Sequence, residues 1–102
     1  MVSKQRKDYY PIDFEGIVID MNIFVSFMGL QRKLTRTDRV RIPLSERIEI
    51  VADLFAFMTK KYPELLLKEE MVLVTVNNHV SPLDQRLREN DVVSFIPHIG
   101  GG

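Results

Sequence analysis

The chain of 102 residues contains no cysteine. That excludes disulfides, thiolate metal sites and thiol nucleophiles. It also lacks net charge: Lys plus Arg and Asp plus Glu number 14 each, so no overall field points to nucleic acid or to an anionic membrane, and neither is expected as a partner. No apolar run approaches the length needed to span a bilayer. The opening "MVSKQRKDYY" is basic but has no apolar stretch behind it, so it does not read as a signal peptide, and a cytoplasmic location is expected. No Gly-rich phosphate loop lies between a strand and a helix. His79 and His98 are isolated, without an Asp/Glu/His cluster at metal spacing, so no metal is expected. Ser45 and Ser94 lack a nucleophile-elbow context. No conventional active site assembles within the chain, and it is not expected to be an enzyme on its own.

Glycine is scarce too, at five residues, yet the chain ends on Gly100, Gly101 and Gly102. What lies ahead of that end reads as one small domain. Residues 1–16 are polar and tyrosine-bearing and read as an arm. From Ile17 the apolar residues alternate: Ile17, Ile19, Met21, Ile23, Val25 and Phe27 share one face of a strand, which predicts a first strand starting before Met21. Val18, Phe24 and Met28 weight the other face. "LQRKLTRTD" is a short helical turn or a loop. "RVRIPL" alternates again as a second, antiparallel strand, with Pro43 favouring an edge or a strand end.

The period then changes. Val51, Leu54, Phe55, Met58 and Tyr62 form one stripe of a helix, closed by Lys60, Lys61 and Pro63. The stripe reads as core packing. "VLVTVNNHVSP" gives two short strands about an Asn77-Asn78 tight turn, with His79 solvated. Leu83 and Leu87 are expected to plug the core from a loop, and Val92 to Ile96 is the last strand. The expected architecture is α+β: a mixed sheet packed on one main helix, with the last strand inserted beside the first, in parallel, as a β-grasp. The expected division is an arm at 1–16, the domain at 17–96 and a flexible tail at 97–102.

The stretch "TVNNHVSPLDQRLRENDVVSFIPHIGGG" resembles the C-terminal half of the ubiquitin-like sulfur carriers, which comprise the small subunit of molybdopterin synthase and the carrier of thiazole biosynthesis. The matching places are Val76-Asn77, Leu87, Glu89-Asn90-Asp91, Val93, Phe95, Pro97 and Gly101-Gly102. "PHIGGG" fits the molybdopterin-synthase type without a gap, with Gly100 in the small-residue place. "VADLFAFMTKKYPEL" is similar to the family's long helix, and "MNIFVSFMGLQRKL" to its opening strand and turn. Three departures stand out. His98 replaces a second proline, which is expected to loosen the tail. Ile50 stands where a Thr or Ser cap is common, which is expected to weaken the helix start. Residues 1–20 precede the family's usual beginning.

The resemblance gives the glycine end a purpose. A six-residue tail, Pro97 to Gly102, extends to at most about 20 Å, enough to enter a partner's pocket while the body stays outside. Glycine at the last positions lets a narrow channel close on the backbone. Pro97 directs the exit, and Ile99 is an anchor for an apolar wall. The α-carboxylate of Gly102 is ionised at neutral pH. In the resembling family an E1-like adenylating enzyme uses ATP to convert this carboxylate to an acyl-adenylate and then a thiocarboxylate. No cofactor is expected on the chain itself; sulfur would be carried at Gly102. Partner contacts are expected at Phe95, Pro97, His98, Ile99, Gly100 and Gly101. The resemblance favours the small subunit of molybdopterin synthase, with the synthase large subunit as sulfur acceptor. A carrier for thiamine or thionucleotide synthesis, acting on another acceptor enzyme, and a protein modifier joined to lysines remain as alternatives.

Overall fold

The computed structural model describes residues 21–44 and 47–97. The expectations for the arm, for Ile17, Val18 and Ile19, for Ser45 and for the tail beyond Pro97 lie outside them. The chain runs β1 (Asn22–Ser26), α1 (Leu30–Thr35), β2 (Arg39–Pro43), α2 (Val51–Lys61), β3 (Val72–Val76), β4 (His79–Val80) and β5 (Val92–Pro97). Short 3-10 turns cover Pro63–Leu65 and Glu69–Met71.

The strands form one sheet in the order β2-β1-β5-β3-β4. β5 is central, parallel to β1 and antiparallel to β3. This is the β-grasp pairing. The register follows from the alternation. Ile23 lies opposite Ile42, Val25 opposite both Val40 and Val93, and Val74 opposite Phe95, so β1, β2, β3 and β5 turn these apolar residues to the same side. On that side α2 packs its buried stripe of Val51, Leu54, Phe55 and Met58. Tyr62, the residue after the helix, sets its ring edge-on to Phe27 with centroids 5.5 Å apart. Leu87 is buried in the same core and Leu83 packs against it.

Local chemistry accounts for the turns. Gly29 has φ near 51°, a backbone state that side chains avoid, and turns the chain from β1 into α1. Asn77 and Asn78, at φ 52° and 70°, form the tight turn between β3 and β4. The Asn77 side chain also reaches β5: its Nδ2 donates to Asp91 Oδ1 at 2.9 Å, and its Oδ1 accepts from the Val92 N–H at 2.9 Å. β2 is an edge strand with Pro43 at its end, where no ladder bond is lost. Met21 is not part of β1, but its carbonyl accepts from the Leu44 N–H at 2.8 Å.

One expectation is overturned at the start of α2. Ile50 has no side-chain oxygen to cap the helix, yet its first turn is satisfied. The Val51 N–H donates to the Gln85 carbonyl at 2.9 Å and the Ala52 N–H to the Leu83 carbonyl at 2.8 Å. The Asp53 carboxylate accepts from the Glu49 and Ile50 N–H groups, at 2.9 and 3.1 Å. A loop distant in sequence supplies the acceptors that a Ser or Thr would have provided.

Candidate functional site at the root of the tail

The site is built around the end of β5. The pair Asn77 and Val92 is hydrogen-bonded, the Asn77 N–H donating to the Val92 carbonyl at 2.7 Å. Counting along the antiparallel ladder, Phe95 and Pro97 are then non-bonded positions towards β3, so their backbone groups face the β1 side. β1 ends at Ser26, opposite Ser94, so no further residue of that strand donates to the Phe95 carbonyl. Gln31 fills the gap. Its side chain is 7% exposed, and its Nε2 donates to the Phe95 carbonyl at 2.7 Å. Its Oε1 accepts from the Met28 N–H at 3.2 Å, which fixes the amide from the other end. Pro97 has no N–H to leave unpaired on that same side, so proline fits the last position of a central strand. α1 is thereby tied to the point where the chain leaves the sheet.

Beside this point lies a hollow of about 280 Å³, lined by Met28, Leu30, Leu34, Leu66, Met71 and Pro97 among others. Five of the seven exposed large apolar side chains among the described residues collect here: Leu66 is 77% exposed and Leu30 67%, with Met28, Leu34 and Met71 also open to solvent. Leu66 adopts φ 52°, a left-handed conformation unusual for leucine. It follows the 3-10 turn Pro63–Leu65, so its conformation turns the chain back towards β3 while the side chain stays outside. A clustered apolar surface is the kind that protein partners use.

The predicted site residues fare unevenly. Phe95 is not a partner contact. It is 1% exposed, packed edge-on against Phe55 with ring centroids 5.7 Å apart, because the alternation of β5 points it to the helix side. Ile96, on the opposite face, is the half-buried surface residue of the pair. Pro97 is exposed and pairs with Val72 as the last residue of β5. Five residues, His98 to Gly102, follow it in the sequence. His98, Ile99, Gly100, Gly101 and Gly102 themselves lie outside the described residues. His79 is exposed on β4. Among the described residues no group of three His, Asp or Glu could hold a metal ion, and no helix is long and apolar enough to cross a membrane.

The sequence reading missed Gln31 and the apolar rim. Their only signal was apolar residues left over after the periodic elements were assigned: Leu30 and Leu34 four apart, and Leu66 and Met71 in "ELLLKEEM".

A five-stranded mixed sheet with its last strand central and parallel to the first, packed on one main helix, defines the ubiquitin-like β-grasp fold. The chain belongs to the ThiS family, whose model matches residues 25–102. No curated protein matches the chain. Among solved structures, it is similar to a Pyrococcus furiosus protein assigned as molybdopterin converting factor, subunit 1. The two are 24% identical with a TM-score of 0.65, over 78% of this chain and 99% of that one. It is similar to small archaeal modifier protein 1 of Haloferax volcanii, at 14% identity and TM-score 0.64, over 78% and 99%. It also resembles a chain from the complex of subunits 1 and 2 of the Helicobacter pylori molybdopterin-converting factor, at 22% identity and TM-score 0.56, over 80% and 100%. At these identities the likenesses establish the fold: the β-grasp of the ubiquitin-like sulfur carriers.

Proposed function

We propose that this chain is a sulfur carrier that works through the carboxylate of Gly102, as the small subunit of molybdopterin synthase. The observation that carries the reading is the end of β5. Pro97, the last residue of this central strand, lines an exposed apolar hollow, and the sequence continues for five residues that finish on three glycines. The body is a docking surface, and the reactive group lies at the end of a segment that a narrow channel accommodates.

The chemistry belongs to the partners. An E1-like activating enzyme aligns the carboxylate with ATP; the carboxylate oxygen attacks the α-phosphorus and pyrophosphate leaves. A sulfide-level donor then displaces AMP, breaking the acyl C–O bond and forming C–S. The chain has no thiol, so the terminus is its place for the sulfur. In the synthase large subunit the thiocarboxylate sulfur attacks a carbon of the precursor pterin and displaces the oxygen there; water then cleaves the acyl C–S bond, which leaves the sulfur on the pterin and Gly102 as a carboxylate again. The Helicobacter pylori protein, found in complex with subunit 2, supports a partner of that kind.

Intact-mass measurement tests the reading. Purified chain, its cognate activating enzyme, ATP and a sulfur donor should give a species heavier by about 16 Da that iodoacetamide alkylates, which an oxidised methionine does not permit. Its absence refutes the carrier reading. The likeness to a small archaeal modifier favours a second outcome, the terminus joined to a lysine of another protein. Finding that isopeptide in place of a thiocarboxylate makes the chain a modifier. Transfer of sulfur to a thiamine or thionucleotide precursor, but not to the synthase, moves it to another pathway.

A further inference from the structure

The chain has five methionines. Met58 is wholly buried in the core and Met21 is half-buried, while Met1 lies outside the described residues. The other two, Met28 and Met71, are exposed at 42% and 50%, and both line the hollow beside Pro97. They reach it from separate segments. Met28 precedes α1, and Gln31 holds its backbone twice: the Met28 N–H donates to Gln31 Oε1 at 3.2 Å, and its carbonyl accepts from the Gln31 N–H at 2.9 Å. Met71 ends the turn Glu69–Met71, its N–H donating to the Lys68 carbonyl at 2.9 Å. The rest of the apolar rim is Leu30, Leu34 and Leu66, which offer an oxidant nothing. With no cysteine in the chain, no thiol competes with these two thioethers.

We propose that Met28 and Met71 form a reversible oxidation site that sets the polarity of the hollow. A hydroperoxide supplies the oxygen. The thioether sulfur attacks the terminal peroxide oxygen; the O–O bond breaks and an S–O bond forms. Sulfur loses two electrons and the peroxide gains them. The proton on the transferred oxygen passes to the leaving oxygen, which departs as an alcohol, or as water from hydrogen peroxide. A dithiol-dependent sulfoxide reductase reverses the change: the sulfoxide oxygen leaves as water and the dithiol becomes a disulfide. Oxidation turns two apolar, polarizable side chains into strong hydrogen-bond acceptors among leucines. A partner that covers the hollow then buries acceptors that its own apolar surface cannot satisfy, and binds about tenfold more weakly. This last consequence rests on the carrier reading, in which the activating enzyme docks on the body; the site itself does not. Met58, on the core side of α2, is reached only when the fold opens, so it is spared.

The test uses the full chain and hydrogen peroxide. Peptide mapping by mass spectrometry should show Met28 and Met71 gaining oxygen at least about tenfold faster than Met58. The oxidised chain should elute earlier in hydrophobic-interaction chromatography, and methionine sulfoxide reductases with dithiothreitol should return it to its first position. Most of that shift should be absent from Met28→Leu/Met71→Leu, and the melting temperature should be the same before and after oxidation. Equal rates at Met58 overturn the proposal. So does an equal shift in the double variant, or a lowered melting temperature, which would make the two methionines supports of the fold. With the activating enzyme, oxidation should raise KM for the chain about tenfold at constant kcat, and should leave the double variant unchanged. An unchanged KM overturns the effect on docking. If even the untreated chain is not activated, the carrier reading fails, and mapping and elution still decide the oxidation site.

Discussion

Gln31 is a polar side chain in an otherwise apolar surround, and its two hydrogen bonds explain why it is there. Replacing it with leucine leaves the Phe95 carbonyl buried and without a donor, at a cost of about 1–3 kcal/mol. For a domain of this size each kcal/mol lowers the melting temperature by about 4–8 °C, so Gln31→Leu should be visible by calorimetry. The same variant should speed amide exchange at Ile96 and Pro97's neighbours more than at Val25, because the loosened contact is local; uniform acceleration would mean the bond only supports global stability. Leu66 is the opposite case, an apolar side chain held outside in a left-handed conformation. Asparagine tolerates that conformation better than leucine does. Leu66→Asn should therefore keep or raise the melting temperature while weakening partner binding. A drop of several degrees would show that Leu66 supports the fold instead.

At the scale of elements, α2 was the most legible in the sequence. The stripe of Val51, Leu54, Phe55 and Met58 is a local pattern, and the helix and its stop at Pro63 follow from it. Phe55 meets Phe95 edge-on across the core, so Phe55→Ala should cost about 3–5 kcal/mol in chemical denaturation. A wild-type midpoint would remove that contact from the core. Strands β2, β3 and β5 and the Asn77-Asn78 turn were equally readable, because alternation and positive-φ residues are written in neighbouring positions. The start of α2 was not. Its acceptors are the carbonyls of Leu83 and Gln85, more than thirty residues away, and backbone groups leave no trace in side-chain identity. Phe95 was misread for a related reason. A sequence places it near the tail; only the pairing of Phe95 with Val74, on the α2 side of the sheet, turns it inward. Gln31 and the rim of the hollow were invisible because their role depends on where β1 stops relative to β5.

For the whole molecule, body and terminus should make separable contributions to activation. If the chain is the carrier proposed above and docks through the hollow, its exposed leucines take no part in the chemistry and contact the activating enzyme equally in the ground state and in the transition state of adenylation. Losing one removes uniform binding, which raises KM and leaves kcat nearly unchanged. Leu30 is mostly exposed in the free chain, and covering it in a complex is worth about 1.5–3 kcal/mol, so Leu30→Asp should lower kcat/KM for the activating enzyme about 10- to 100-fold through KM. Gly101→Ala acts at the other end. On the carrier reading a methyl group there would displace the carboxylate from ATP within the activating enzyme's channel, and kcat should fall while KM changes little. Leu30 is mostly exposed, so Leu30→Asp should melt as the wild type does, and the same is expected of Gly101→Ala. Steady-state kinetics with the carrier as varied substrate reads both effects. If Leu30→Asp lowers kcat instead, the hollow takes part in positioning the terminus and is more than a docking surface. If Leu30→Asp changes neither constant, the activating enzyme docks elsewhere on the body.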